Sequence, residues 1–518
     1  MYCKKILILT FVGLFTLCLV SFGKEITVIS FNDFHGQVQR TTDNHHIVPG
    51  IEKFMTAVKV EQDAYKNNTI LVSAGDNYQG TFMSLMTFGA PVNDMFKSLD
   101  VVASAVGNHE FDWGVKYFPK WEKSANMNYL AANIVYKKNN ELVKWAKPYL
   151  IVKKNGLKVA FIGLATRETL YTTAKKNLVG LKFIDPAIAA QKWIDFLKAG
   201  KAKAGKPDVI IALTHIPSSQ NADGTVIGKE IHDLCGNTKG LDAVISAHSH
   251  KVVCGYVNKI PVIQAGSYGE DLGLLNLYFN NENKLTKIVP SIVNVGKEIK
   301  SLKNDKAGET ILTKYSKKLA KYYKTIGTAE GDFTRTDQGV SKLGYFVAKV
   351  MAESAGDEMG IVNTYGLRAD ISSGKITVQD IYDVAPFDNK IYSVKMKGKD
   401  LKQLIENSFE QNGSIKGQYY GVKIFVNPNA PFGEKVIKLE LPDGKPIDMN
   451  KYYSIATCDF MYNGGDKFNF SKSIDKKNTG VIIKDALIKY ITKHKVITPD
   501  DINNFIKVSE SSELKKAA

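Results

Sequence analysis

Residues 103–114 (ASAVGNHEFDWG) carry an apolar run that ends at Gly107 and empties into four polar side chains, Asn108, His109, Glu110 and Asp112. His109 and Asp112 are three apart, so one helical turn puts them on the same side, where the carboxylate can orient the imidazole. Four other apolar runs end the same way. Residues 26–31 lead into Asn32, Asp33 and His35, and residues 69–74 into Gly75, Asp76 and Asn77. Residues 208–213 lead into Thr214 and His215, and residues 241–246 into Ala247, His248, Ser249 and His250. Ligand sites in α/β sheets lie beyond the carboxyl ends of strands. A single histidine there is more often a hydrogen-bonded structural residue, so the signal is the joint placement.

Carboxylate, imidazole and amide oxygen are the donors of borderline and hard divalent ions. Asp33, His35, Asp76, Asn108, His215, His248 and His250 offer more donors than one ion commonly uses. Two ions sharing one carboxylate is the economical reading. Such a pair, about 3.5–4 Å apart, clamps the attacking and departing oxygens of a phosphoryl displacement and lowers the pKa of a bound water. The chemistry expected is attack of a metal-bound hydroxide on phosphorus. His109, held by Asp112, would donate to the charge of the transition state. Glu110 reads as a structural carboxylate.

These groups need strands to carry them. From residue 25 to about 295, strand-like runs alternate with helical patterns such as 51–65, the sign of a layered α/β domain. Residues 297–325 are lysine-rich and helical in pattern and read as a linker helix. A second, α+β domain follows from 326, with a helix at 342–355 and strands at 391–395, 422–426, 436–441 and 453–457. Three of its stretches stand out: 363–368 (NTYGLR), 386–389 (PFDN) and 460–466 (FMYNGGD). A planar base binds well between aromatic faces, and the arginine fork suits phosphate.

The 518 residues, 44% hydrophobic and 23% charged, favour two or more globular domains. Residues 1–23 read as an export signal, with Lys4 and Lys5, an apolar run at 6–20 and a small-x-small cleavage site at 21–23. That implies a periplasmic, cell-surface or secreted protein. Leu17 before Cys18 fits lipid attachment poorly. No later stretch is long and apolar enough to span a membrane. The net charge of +17 comes from scattered lysines without an arginine-rich patch, so no nucleic-acid partner is expected. Beyond the signal stand Cys235, Cys254 and Cys458, an odd number without Cys-x-x-Cys spacing. Cys235 and Cys254 could pair, or all three could be buried thiols.

In order and spacing, the blocks at 33–35, 75–76, 107–110, 214–215 and 247–250 resemble the calcineurin-like metallophosphoesterases, and more closely the secreted 5′-nucleotidases. The resemblance implies an α/β fold: a four-layer α/β/β/α domain at 24–296, a linker helix at 297–325 and a C-terminal substrate-binding domain at 326–510. It gives one metal Asp33, His35, Asp76 and His250. It gives the other Asp76, Asn108, His215 and His248, with Asp76 bridging, and zinc, manganese or cobalt as the ions. His109 would bind the phosphoryl oxygens and Asp112 would orient it. In the second domain, Phe387 and Phe460 would sandwich the base. Asp466 would bond the ribose, Asn363 the base side and Arg368 the phosphates. This chain departs from the pattern at Ala247, at Thr364 and Tyr365, and at Lys467, all places where glycine is usual. Arg335 is the candidate for a second phosphate-binding arginine.

The implied reaction is hydrolysis of nucleoside 5′-phosphates such as AMP to nucleoside and phosphate, a step in nucleotide catabolism. Within the superfamily the alternatives are a 2′,3′-cyclic-nucleotide phosphodiesterase/3′-nucleotidase and a UDP-sugar or NAD pyrophosphatase. Asp112, Phe387 and Phe460 point away from the cyclic-nucleotide enzymes, which tend to carry Asn and tyrosines there. A non-catalytic surface nucleotide-binding protein is the alternative of another class. The full ligand set and the His109–Asp112 pair weigh against it.

Overall fold

The computed structural model describes residues 23–42, 46–66, 68–410 and 412–508. The expected export signal lies, but for Gly23, outside the described residues.

The apolar runs that end in the site are the parallel strands of two six-stranded sheets. The first sheet has the order Leu285–Asn294, Asp271–Phe279, Glu25–Phe31, Thr69–Ser73, Ala103–Ala105, Asn128–Leu130, and its last four strands are parallel. The second has the order Val252–Val257, Ile260–Ala265, Ala243–Ala247, Val209–Pro217, Leu157–Ala165, Tyr149–Lys154, with the middle four parallel. Parallel strands covered on both faces need apolar residues at every position, which is why these runs are nearly continuous. Val28, Val72, Phe161, Ile211 and Ile245 fill the space between the sheets. Helices Gly50–Ala64, Ala90–Leu99 and Phe118–Ala125 cover the first sheet's outer face, and Pro186–Lys198 and Lys229–Asn237 cover the second's. The domain is the four-layer α/β/β/α sandwich.

One strand end differs from the expectation. Val209–Pro217 does not stop at Leu213; it continues through His215, paired with Ala165 on one side. On its other side the register shifts between Leu213 and Pro217. This bulge turns His215 towards the site from within a strand.

In the lysine-rich stretch the helix is Lys306–Leu319, capped by Asp305, whose carboxylate accepts from Ala307 N and Gly308 N. Ile311, Tyr315 and Leu319, at helical spacing, bury into the core under the first sheet's helices. By its packing this helix is part of the first domain's outer layer.

The second domain has its own core around a five-stranded sheet, Gly417–Tyr420, Met359–Asn363, Tyr452–Cys458, Lys390–Lys397, Ile474–Ile482. Helices Lys342–Ala355 and Ile483–His494 pack on it. The two domains touch directly. Phe82 N donates to Asp383 Oδ1 at 2.7 Å, the Phe82 and Tyr382 rings meet edge-on at 5.2 Å, and Gln379 Nε2 donates to Gln39 at 3.0 Å. Burial at this contact pushes the Asp383 carboxyl up to about 7. Cys235, Cys254 and Cys458 are all free thiols. Among the described residues no helix is long and apolar enough to cross a membrane.

Candidate active site

The carboxyl ends of both sheets point to one place. The first sheet brings Asp33, His35, Asp76 and Asn108; the second brings His215, His248 and His250. Two groups of donors form there: Asp33, His35 and His250, and Asp76, His215 and His248. In the first, His35 Nε2 lies 3.1 Å from His250 Nε2, and His250 Nε2 lies 3.3 Å from Asp33 Oδ1. In the second, His215 Nε2 lies 3.1 Å from Asp76 Oδ2. Asp76 Oδ2 is also 3.9 Å from His35 Nε2, so this one oxygen faces both groups.

The loops that present these residues are tightly constrained. Asp33, His35, Asp76, His248 and His250 all have left-handed backbones, with φ of 48, 49, 54, 74 and 57°. Each such residue costs on the order of 1–3 kcal/mol, strain that collects where side chains must be aimed. Main-chain bonds from Asp33 N to Gly75 O (3.0 Å) and from His35 N to Asp76 O (2.9 Å) lace the first two loops together. Glu110 completes the frame: its carboxylate accepts from the N–H groups of Asp76 (2.9 Å), Asn77 (2.8 Å) and Gly107 (2.7 Å). Burial, with Asp76 nearby, pushes it up to about 7. It is a structural carboxylate. Ala247 is buried within its strand and lacks a positive φ, so alanine costs nothing there.

The donor set fits divalent cations. His35 Nδ1 donates to Gln79 O at 2.7 Å and His215 Nδ1 to Ala74 O at 2.8 Å, which leaves both Nε2 lone pairs for the site. Asp33 Oδ1, Asn108 Oδ1 and His215 Nε2 are buried with no hydrogen-bond partner in the protein. Orphaned buried acceptors are expensive unless a cation completes them. Burial opposes a charge on His215, yet Asp76 and Asp33 outweigh it and push the imidazole up to about 10. The carboxylate pair demands positive charge between them.

His109 begins a single 3-10 turn, His109–Phe111, and its Nδ1 donates to Asp112 Oδ2 at 2.8 Å. Burial would lower its pKa, but Asp112 and Asp76 outweigh it and raise it above the ordinary imidazole value. Its backbone N–H donates to Asp76 Oδ1 at 2.8 Å.

The second domain reaches this centre. Arg368 Nη2 lies 3.3 Å from His35 Nε2, and the Phe387 ring stacks on His109 with centroids 5.6 Å apart and planes 30° apart. Asn363 Nδ2 donates to Asp466 Oδ2 at 2.9 Å, and burial pushes Asp466 up to about 6. Phe460 lines a cavity of about 370 Å³ with Asn389, Gly464 and Gly465, bordered on the first domain's side by Tyr171 and Lys175. Thr364 and Tyr365 lie in a 3-10 turn without positive φ, so the glycines usual there are dispensable. Arg335 donates from Nε to Asp370 (2.8 Å) and from Nη1 to the Arg368 carbonyl (2.6 Å), which fixes the segment carrying Arg368.

Sequence reasoning missed two supporting residues. Asn32 Nδ2 donates to Asp33 Oδ2 at 2.8 Å, while its Oδ1 accepts from Ala265 N. Its place beside Asp33 was the available signal. Glu168 Oε2 lies 3.3 Å from His248 Nε2. No motif marks it, because it stands 80 positions from its partner.

A sandwich of two sheets with paired His/Asp clusters at their shared end defines a metallophosphoesterase, here with a second α/β domain. Residues 26–252 match the family model for calcineurin-like phosphoesterases, and residues 325–473 the model for the 5′-nucleotidase C-terminal domain. The chain belongs to the 5′-nucleotidase family. It is 26% identical over 531 residues to Protein UshA of Yersinia enterocolitica, covering 91% of each. It is also 26% identical over 517 residues to Endonuclease YhcR of Bacillus subtilis, a match that takes in 95% of this chain but only 41% of that longer protein. The crystal structure of a 5′-nucleotidase precursor from Thermus thermophilus has the same fold, with a TM-score of 0.80 and 24% identity over 94% of this chain and 100% of that one.

Proposed function

We propose that this phosphoesterase is an exported 5′-nucleotidase that hydrolyses nucleoside 5′-monophosphates to nucleoside and inorganic phosphate. The observation that carries the reading is Arg368 at 3.3 Å from His35, with Phe387 stacked on His109, which brings an arginine and an aromatic ring of the second domain against the His/Asp groups of the first. The name of the Thermus relative points the same way.

In this reading Asp33, His35, Asp76 and His250 hold one divalent ion, and Asp76, Asn108, His215 and His248 the other. Ions bound there neutralise phosphoryl charge and lower the pKa of water. Arg368 binds the phosphate, and water attacks phosphorus in line with the departing 5′-oxygen. His109, protonated and held by Asp112, donates to a phosphoryl oxygen as charge builds on it. Phe387 and Phe460 flank the base. Asp466, oriented by Asn363, accepts from the ribose hydroxyls.

The cavity of about 370 Å³ beside Phe460 favours one second reading, a nucleotide-sugar or NAD pyrophosphatase, because it leaves room for a second group. A panel of AMP, UMP, 3′-AMP, 2′,3′-cyclic AMP, UDP-glucose and NAD, with manganese, zinc or cobalt, decides between them. AMP and UMP are expected to turn over fastest; a preference for UDP-glucose or NAD would favour the second reading, and a preference for 3′-AMP or the cyclic nucleotide would overturn both. Fractionation of cells making the full chain tests export.

A further inference from the structure

Glu168 and Lys467 have no part in the reaction described so far, yet one chain of contacts joins them to a metal-site histidine. Glu168 Oε2 lies 3.3 Å from His248 Nε2. A proton on that nitrogen would be held by the carboxylate, leaving Nδ1 with the lone pair in a histidine that is grouped with Asp76 and His215. The turn carrying Glu168 is hung from the strand that carries His215: Thr166 N donates to His215 O at 2.9 Å, and Glu168 N to Thr166 Oγ1 at 3.1 Å. Tyr171 belongs to the same turn, its N–H donating to the Glu168 carbonyl at 2.9 Å. Over the Tyr171 ring, 4.3 Å from its centroid, sits the ammonium of Lys467 from the second domain. Lys467 has a left-handed backbone, φ 63°, beside Asp466 at φ 50°. Glycine is the natural residue for such a backbone, so a lysine held there calls for a contact made by its side chain. The ring face of tyrosine attracts an ammonium.

We propose that Glu168 is a positioning residue for the metal site built on His248, and that Tyr171 and Lys467 tie this positioning to the docked substrate-binding domain. A carboxylate on the far nitrogen of a metal-ligating histidine fixes its tautomer and ring orientation and raises its basicity. With Lys467 seated on Tyr171, the turn that carries the Glu168 carboxylate is held beside His248. The histidine is therefore best placed for its ion when the domain bearing Asp466 is docked. The proposal rests on the two-metal reading of the site.

The test is metal binding by the full chain, stripped with chelator and titrated with Mn²⁺ in a calorimeter without nucleotide. Wild type binding fewer than two ions would sink the two-metal reading itself. With two ions bound by wild type, Glu168→Ala is expected to weaken one of them by about 10–100-fold and leave the other unchanged. Glu168→Gln keeps the acceptor but not the charge and should fall between; being isosteric, it serves should the alanine variant not fold. Both ions held with wild-type affinity in Glu168→Gln, or both weakened equally, would overturn the positioning role. Lys467→Ala should weaken the same ion by a smaller factor, and Lys467→Arg, which keeps the cation on the ring, should restore it. Unaltered metal affinity in Lys467→Ala, or no difference between the two variants, would overturn the link to the docked domain.

Discussion

Asp76 uses its two oxygens differently. Oδ1 accepts from His109 N, whereas Oδ2 faces His215 at 3.1 Å and His35 at 3.9 Å. One charge thus serves both donor groups. Asp76→Asn is expected to abolish turnover and to lower metal content, read by elemental analysis of the purified protein; normal activity with two ions bound would contradict the bridge. His109 stands beside the two donor groups without belonging to either. His109→Ala should lower kcat for AMP by roughly 10²–10³, the loss typical of one transition-state donor, with metal content unchanged. Asp112→Asn should cost less and should also change the pH profile. Asp112 helps hold the His109 pKa above its usual value despite burial, and only the protonated ring donates through both nitrogens. Removing that charge lets His109 lose its proton earlier, so the alkaline limb of kcat should move to lower pH.

At the scale of elements, the site depends on how closely strand ends can approach. A Cβ on Gly107 would lie 2.2 Å from Asp76 Oδ1 and 2.8 Å from Glu110 Oε2. Gly107→Ala should therefore displace Asp76 and reduce metal affinity, with a circular dichroism spectrum like wild type. Helix Lys306–Leu319 illustrates a limit of pattern reading. Its spacing announces a helix, but its lysines suggest a solvated spacer; only its packing shows Ile311, Tyr315 and Leu319 inside the first domain's core. A fragment ending at residue 300 would leave that surface bare. It should aggregate or melt well below a fragment ending at 323, a comparison made by thermal denaturation.

For the whole molecule, the question is what the docked domains contribute. Phe387→Ala with Phe460→Ala should raise KM for AMP strongly, since base stacking is worth about 1–3 kcal/mol. Hydrolysis of a small activated phosphate ester should be nearly untouched; equal loss on both substrates would mark the rings as packing residues. Asp383 offers a pH test of the interface. Its folded pKa of about 7 lies above the value of about 3.9 for an unfolded aspartate, so folding takes up a proton between these limits. Stability is therefore lost as pH rises through that window and is level above it. Asp383→Asn, which keeps an acceptor for Phe82 N, should narrow the difference in Tm between pH 5 and pH 8.

The parallel strands and their polar ends are legible in the chain because strands buried on both faces must be apolar at every position, so an Asp or His at the boundary stands out. For the same reason Asp33, His35, Asp76, Asn108, His109, His215, His248 and His250 can be named without coordinates. The antiparallel pairs at residues 149–165, 252–265 and 271–294 carry no such mark. The strand through His215 runs past the end its apolar pattern suggests, because a bulge is set by its neighbours' register. Residue types and spacing determined the kind of chemistry, since metal donors are few and must gather at strand ends. Only the tertiary structure decided which oxygen of Asp76 faces both donor groups and that Arg368 and Phe387 meet the site. It alone brought Glu168 to His248 and Lys467 to Tyr171. Those contacts join residues far apart in sequence, and their geometry comes from the packing of sheets and domains rather than from any local pattern.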